Sequence, residues 1–331
     1  MLVEDGTRSA ENLSFRYGND FANIGSLTNT TSGKYLIHYT GDEYGLTDGR
    51  GHYKQVLNSP VPYGFGSIRI LSKNNATDVP VLHKLQDGFS VTEVPRSGPS
   101  VAPAMDLTIF NQTYYTPGPN VTLVDAVMRL TAKFAPYNTP LVEASRQPVN
   151  TTLTAAGCVG GQFVMPSGLN QTLTLAAANQ TAAEIKTSTT FFTNFGNGWR
   201  SPAPYWQGNY DPFYAGRYYV TTWAYLVLTP DQAIYPSYVD NGSEFLTVGP
   251  NQAYLLTFSG KPETGPTGFW SLTLYGADQY LIENPLNRGA LGDRSNITYA
   301  DGASLSSRET GEFQILIQPG DVSPPANWTA K

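Results

Sequence analysis

Short apolar, β-branched and aromatic runs fill both ends of the chain, and helical stripes lie between them. Lys34–Thr40 is a strand-like run bounded by Ser32 and Gly33 on one side and Gly41 and Asp42 on the other. Val61–Ser72 is a second, with Gly64 and Gly66 marking a bulge or a close backbone approach. Asp78–Gln86 reads as a short helix, with Asp78 as N-cap and Pro80 in the first turn. Residues 95–120, rich in Pro, Ser and Gly, form a connector. Thr122 then caps a clearer helix whose apolar face is Leu123, Val124, Val127, Leu130 and Phe134, and Pro136 stops it. An Ala-rich helix covers about Thr172–Phe191.

From Asn197 the pattern changes to a loop dense in aromatics. Asp211 and Pro212 predict an N-cap with Pro at the first helical position. Tyr214, Tyr218, Thr221, Thr222 and Tyr225 then repeat at helical spacing. Beyond that the predicted strands are Glu244–Val248, Ala253–Ser259, Gly268–Tyr275, Tyr280–Glu283 and Gly311–Gln318, separated by Gly, Pro and Asn turns. The expected fold is mainly β with a few helices, an α+β chain. It divides into a β-rich domain over 1–110, a helical connector over 111–195 and a jelly-roll or sandwich-like domain over 196–331.

Composition narrows the function. Lys and Arg number 20 against 26 Asp and Glu, a net charge of −6, and Tyr alone, at 21, outnumbers the cations. No Lys/Arg stripe is present, so nucleic acid is an unsuitable partner. No apolar run reaches the roughly 18–20 residues that span a bilayer. Eleven Asn-x-Ser/Thr sequons occur, at Asn12, Asn29, Asn75, Asn111, Asn120, Asn150, Asn170, Asn179, Asn241, Asn296 and Asn327. Composition alone would give about four. The excess points to a secreted protein with N-glycans on surface loops. Met1–Asp5 has neither a basic region nor an apolar stretch, so a signal peptide is expected to be missing from the start of the chain. The single cysteine, Cys158, has no His nearby and reads as an inert, buried thiol.

Few residues carry obvious chemistry. The three histidines, His38, His52 and His83, show no metal-binding spacing, though a His38–His52 pair meeting in space stays open. No Gly-x-Ser-x-Gly elbow and no phosphate-binding Gly loop occurs, so neither a cofactor nor a metal is expected. Carboxylates remain: Asp240, Asp278, Glu283, Asp293 and Asp301 cluster with Arg288 and Arg294. A pair among Asp240, Asp278 and Asp293 could perform acid/base catalysis of glycoside hydrolysis, with Arg288 or Arg294 holding an anionic group. The same residues could instead only pin turns. Trp199, Tyr205, Trp206, Tyr210 and Tyr214 fall within a short stretch beside Arg200. They could line a cleft for a sugar or a flat organic ligand, or fill an interface.

The C-terminal third resembles a known family. Gly268–Tyr275 is similar to its Phe-Trp-Ser-Leu-Thr-x-Tyr motif, and Asn284–Arg294 to its Asn-Arg-x-x-x-Gly-Asp-Arg turn. Asp301 and Gly302, then Pro324–Trp328, follow in the family's order, and upstream Asn197–Trp199, Arg217, Tyr235, Asp240 and Gly242 also match. This is the module called domain of unknown function twelve-fourteen. Its usual partner, domain of unknown function twelve-fifty-four, is resembled by residues 19–95, through Asn19–Gly25, Tyr35–Ile37 and Val79–Asp87. The resemblance implies two β-rich domains joined by helices and supplies no reaction. It also implies an earlier N-terminal portion and a final strand that this chain lacks, so a truncated chain, an impaired paralogue and dimerisation through exposed strand edges are all expected possibilities.

Three functions stay open. The first is a secreted protein that binds or acts on a carbohydrate or small organic ligand. The second is a non-catalytic cell-surface or cell-wall module. The third is a secondary-metabolism enzyme on a hydrophobic substrate. Carboxylates coupled in a wet cleft would favour an enzyme, and carboxylates each tied to a backbone N–H or an adjacent Arg would favour structure.

Overall fold

The computed structural model describes residues 10–328 except 17, 26–27, 29, 42–43, 71, 73–76, 99, 225–226, 240–245, 266–267, 279, 287–288 and 327, and for residues 10–16 the backbone only. In chain order the strands and helices are β1 (Ala10–Arg16), β2 (Asn19–Ile24), β3 (Tyr35–Tyr39), β4 (Gly45–Asp48), β5 (Gln55–Ser59), β6 (Phe65–Ile70) and α1 (Val79–Asp87). Next come α2 (Leu123–Phe134), α3 (Glu143–Ala155), β7 (Cys158–Val159), β8 (Gln162–Phe163) and α4 (Gln171–Lys186). The rest are β9 (Phe192–Gly196), β10 (Trp199–Pro202), α5 (Tyr214–Trp223), β11 (Ser237–Tyr238), β12 (Tyr254–Gly260), β13 (Ser271–Thr273), β14 (Ala290–Gly292) and β15 (Thr310–Ile317). This is a mixed α+β fold, as the sequence predicts at that level.

The chain forms two compact units. The first contains residues 11–68 and 90–237, so the helical segment belongs to it. Its central strand is β5, paired parallel with β3 and antiparallel with β4. Val56 and Leu57 of β5 are buried, and Leu57 packs with Ala22 and Ile24 of β2. The expected strand over Val61–Ser72 shortens to β6, and Val61 is buried ahead of it.

Thr122 caps α2 as predicted: its hydroxyl accepts from the Asp125 N–H, and Asp125 accepts from the Thr122 N–H in return. The buried face differs from the predicted one. Ala126 and Ala132 are buried, while Leu123 and Val127 are more than half exposed. The β7–β8 hairpin packs on this helix, and apolar periodicity could not register which face is covered. α3 is absent from the sequence reading because Pro148 lies inside it. The Thr152 hydroxyl donates to the Pro148 carbonyl at 2.9 Å. α4 is capped by Asn170, which accepts from the Leu173 N–H at 3.1 Å.

Two predicted caps are corrected. Asp78 is the N-cap residue of α1, but its side chain makes no cap bond; its buried carboxylate accepts from the Ser72 hydroxyl at 2.7 Å instead. Asp211 does not cap α5. That helix starts at Tyr214, after a cis Asp211–Pro212 peptide, and the Asp211 carboxylate is used elsewhere. The core beside α5 consists of Ile185, Phe191, Tyr210, Val220 and Val227, flanked by Trp206, Phe213 and Tyr219.

The second unit contains residues 69–89 and 238–331. β12 pairs antiparallel with β15, and β13 with β14. Inward residues of β15, Phe313 and Ile315, pack with Tyr299, Leu305 and Trp270. Phe258 and Phe313 stack with centroids 4.6 Å apart. Of the other predicted strands, Tyr280–Glu283 reduces to one bridge between Tyr275 and Leu281, and 246–248 is not a strand; 244–245 lie outside the described residues. Two strand pairs support the β-rich description of this unit and not the finer jelly-roll order.

Candidate functional site

A buried polar cluster forms in the first unit where β2 meets the segment between β10 and α5. The Asp20 N–H donates to the Gly208 carbonyl at 2.8 Å, which seats β2 on that segment. Gly208 has φ +72°, and a Cβ there would lie 2.6 Å from the Thr229 nitrogen, so the approach requires glycine. Asn19 bridges two groups: its amide donates to Asp211 at 3.0 Å, and its carbonyl oxygen accepts from the Tyr210 N–H at 3.1 Å. Arg217, one turn into α5, pairs with the other oxygen of Asp211. Its guanidinium lies 5.3 Å from the Tyr214 ring centroid. Tyr210 is fully buried, and burial pushes its hydroxyl far up. Asp20 is also buried, and desolvation raises its carboxyl above the usual range, against the hydrogen bonds from Asn23 and from the backbone N–H groups of Thr229 and Ala22.

The second feature is a cavity of about 350 Å³ in the same unit, within the size range of small-molecule sites. Tyr63, Phe134 and Tyr137 supply aromatic walls, and Asp106, Gln112 and Lys133 supply polar groups. Tyr63 meets Phe134 edge-on at 5.3 Å and Tyr137 at 6.0 Å. The Pro- and Ser-rich connector forms one wall, because Ile109 anchors its 3₁₀ turn in the interior. Thr108 donates its N–H to Asp106 at 2.9 Å, and with it holds that carboxyl below the usual range.

The residues singled out in the sequence fall in several places. Asp278 is exposed and accepts from the Tyr280 N–H at 3.0 Å, an Asx turn. Asp293 is half-buried, 3.7 Å from Arg294; desolvation raises its carboxyl while the Arg294 charge opposes the rise. Arg294 donates to the Ser72 carbonyl at 2.6 Å. Gly292, just before this pair, cannot carry a side chain, since a Cβ would lie 2.1 Å from the Trp270 carbonyl oxygen. That accounts for glycine in the Gly-Asp-Arg turn. Asp301 accepts from the Ala303 N–H and from Arg308 at 2.7 Å. Asp240 and Arg288 lie outside the described residues.

Trp199 opens β10 and is half-buried. Arg200 stacks on the Phe192 ring at 3.9 Å and donates to the Lys186 carbonyl. Trp206 packs against the core, 4.8 Å from Phe213 and 4.6 Å from the well-exposed Tyr205. Tyr214 lies beneath Arg217. The cavity aromatics are different residues. Their one sequence signal was the run of rings in and just after α2, Phe134 and Tyr137. His38 meets Arg50 at 2.9 Å, and His52 packs on Tyr53. Cys158 is half-buried, and burial pushes its thiol up.

Of the sequon asparagines, Asn111, Asn120, Asn150, Asn170, Asn179 and Asn296 are exposed. Asn150 and Asn179 stand inside α3 and α4, not in the loops expected for glycan carriers. Asn29, Asn75, Asn241, Asn327 and the side chain of Asn12 lie outside the described residues.

The fold and these clusters define a two-unit α+β protein whose polar residues join distant parts of the chain. Residues 13–93 match the family described as protein of unknown function (DUF1254), and residues 232–330 match the family described as protein of unknown function (DUF1214). The two matches lie in that order along the chain. No curated protein and no solved structure matches it. Among the described residues no helix is long and apolar enough to cross a membrane.

Proposed function

We propose that this chain is a secreted, N-glycosylated binding protein that takes a carbohydrate or small organic ligand into the cavity beside α2. The cavity carries the proposal: three aromatic rings offer flat apolar surface, and Asp106, Gln112 and Lys133 offer donors and acceptors for hydroxyl or amide groups. The exposure of all six described sequon asparagines supports glycosylation.

Binding without hydrolysis is the better reading of this cavity. Glycoside hydrolysis uses two carboxyl groups, one held protonated by a raised pKa. The cavity presents one, Asp106, and Thr108 holds it low, which favours the ionised acceptor over the acid. Outside the cavity, Asp278, Asp293 and Asp301 are each tied to a backbone N–H or to a neighbouring Arg.

The test uses the full chain made in a eukaryotic secretory host. Peptide mass mapping after glycosidase release is expected to find glycan on the exposed sequons. Screening against immobilised oligosaccharides and small aromatic compounds is expected to find a binder whose affinity drops at least tenfold in Phe134→Ala and in Tyr137→Ala. A binder unaffected by both substitutions, or no binder in either class, would overturn the cavity assignment.

A further inference from the structure

Among the described residues, two buried oxygens in the polar cluster make no hydrogen bond: Oδ1 of Asp20 and Oδ1 of Asn23. They belong to side chains that already touch, because the Asn23 amide donates to Asp20 Oδ2 at 2.7 Å. Two ionised or carbonyl oxygens cannot satisfy each other, since both only accept. A carboxylic acid and a primary amide can. Each carries one donor and one acceptor on a planar group, and face to face they close a ring of two hydrogen bonds. One bond of that ring is present here, and the two unpartnered oxygens are the atoms that its second bond would join. Asp20 retains only 7% of its surface, so leaving a charged oxygen there without a donor would carry the full cost of desolvation.

We propose that Asp20 is a proton-binding site: its neutral acid donates from Oδ1 to Asn23 Oδ1, completing an acid–amide ring that latches β2 to the turn at Thr229. The latch works through the other oxygen. Asp20 Oδ2 accepts from Asn23 and, at 3.3 Å, from the Thr229 N–H, 209 positions along the chain. The surrounding charges favour the neutral form. Asp231, on the same turn, adds like charge. Asp48, on the adjacent β4, is exposed. Arg217 reaches the cluster through Asn19 but is committed to Asp211. Tyr210 and Tyr235 contribute hydroxyl groups that bond backbone N–H groups of Gly208 and Leu228. Burial accordingly raises the Asp20 carboxyl. When Asp20 loses its proton, the ring's second bond is lost and Oδ1 becomes a buried charged oxygen with no hydrogen to share with Asn23.

The sign of the pH effect follows. The unfolded chain loses this proton near the ordinary Asp value, about 4, and the folded chain loses it higher. The latch is fully made below the unfolded value, and its contribution is lost as pH rises through the folded one. Asp20→Asn supplies the test, because an asparagine reproduces the neutral acid: its N–H₂ donates to Asn23 Oδ1 and its carbonyl accepts from Asn23. Thermal unfolding of the full chain from pH 3 to pH 8 is expected to show wild type and Asp20→Asn equal at the acid end, below the ordinary Asp value of about 4. Toward pH 8 the variant should gain a few degrees over wild type. If Asp20→Asn is instead less stable at every pH, the site needs an anion and the proposal fails. Should the variant not fold, wild type labelled with ¹³C at the Asp carboxyls decides. One carboxyl resonance must keep the position of a neutral acid above the ordinary Asp range; titration of all of them within that range would overturn the pairing.

Discussion

Each unit contains an Asp–Arg pair with its guanidinium over a tyrosine, and the two pairs differ in nearly everything else. In the first unit Asp211 and Arg217 keep 10% and 14% of their side-chain surface, and Asn19 joins them from 192 positions away. In the second, Asp301 and Arg308 keep 54% and 42%, seven positions apart, with Arg308 3.9 Å from the Tyr299 ring centroid. The same chemistry is a tertiary clasp in one place and a loop pin in the other. Burial decides which, because water screens an exposed pair and leaves a buried one with no substitute partner.

The comparison breaks most sharply at Arg217. Arg217→Met keeps the volume and leaves Asp211 buried without its cation, so urea unfolding should show a loss of about 3–5 kcal/mol. A loss under about 1 kcal/mol would place the clasp in the same class as an exposed pair. Asp293 sharpens the middle ground. Its raised carboxyl means that folding disfavours its charge, so its stabilising contribution belongs to acid pH and fades as pH rises above the ordinary Asp value. Asp293→Asn should flatten that decline and raise stability near neutral pH by less than about 1 kcal/mol, since the group is partly exposed. Asp301→Asn should do least: its exposed pairing with Arg308 and the Ala303 N–H holds one turn. Its unfolding midpoint should match wild type at 0.15 M salt. A clear loss there would show that loop pins carry global stability.

Local structure was legible wherever one short segment contains both partners. Thr122 and Asp125 are three positions apart and form the predicted cap; Asn170 caps α4 through the Leu173 N–H at the same spacing, a cap the sequence reading did not name. Asp211 and Asp78 have the same cap-like spelling, yet both carboxylates are taken by other partners, Arg217 and Asn19 for one and Ser72 for the other. The α2 face misled for a related reason. Apolar spacing marks which residues could be buried, and the β7–β8 hairpin that packs on α2 is remote information. The aromatic-rich stretch around Trp206 was visible as a cluster, but its direction was not: Tyr210 points fully inward and Tyr205 lies mostly in solvent. The cavity went unread because Tyr63 and Phe134 are far apart in the chain and become neighbours only as folded.

The sequence by itself determined the resemblance to the two modules, the mixed α+β character, the excess of Asn-x-Ser/Thr triplets and the Thr122 cap of α2. Those features depend on composition or on hydrogen bonds that close inside one turn. Only the tertiary structure decided which carboxylates are pins and which are buried, where the aromatic cavity lies, and that Asp20 and Asn23 each hold a buried oxygen without a hydrogen bond among the described residues. Their fate depends on desolvation, and desolvation is set by residues such as Gly208 and Thr229, nearly two hundred positions or more from β2, which bring their backbone down on the site.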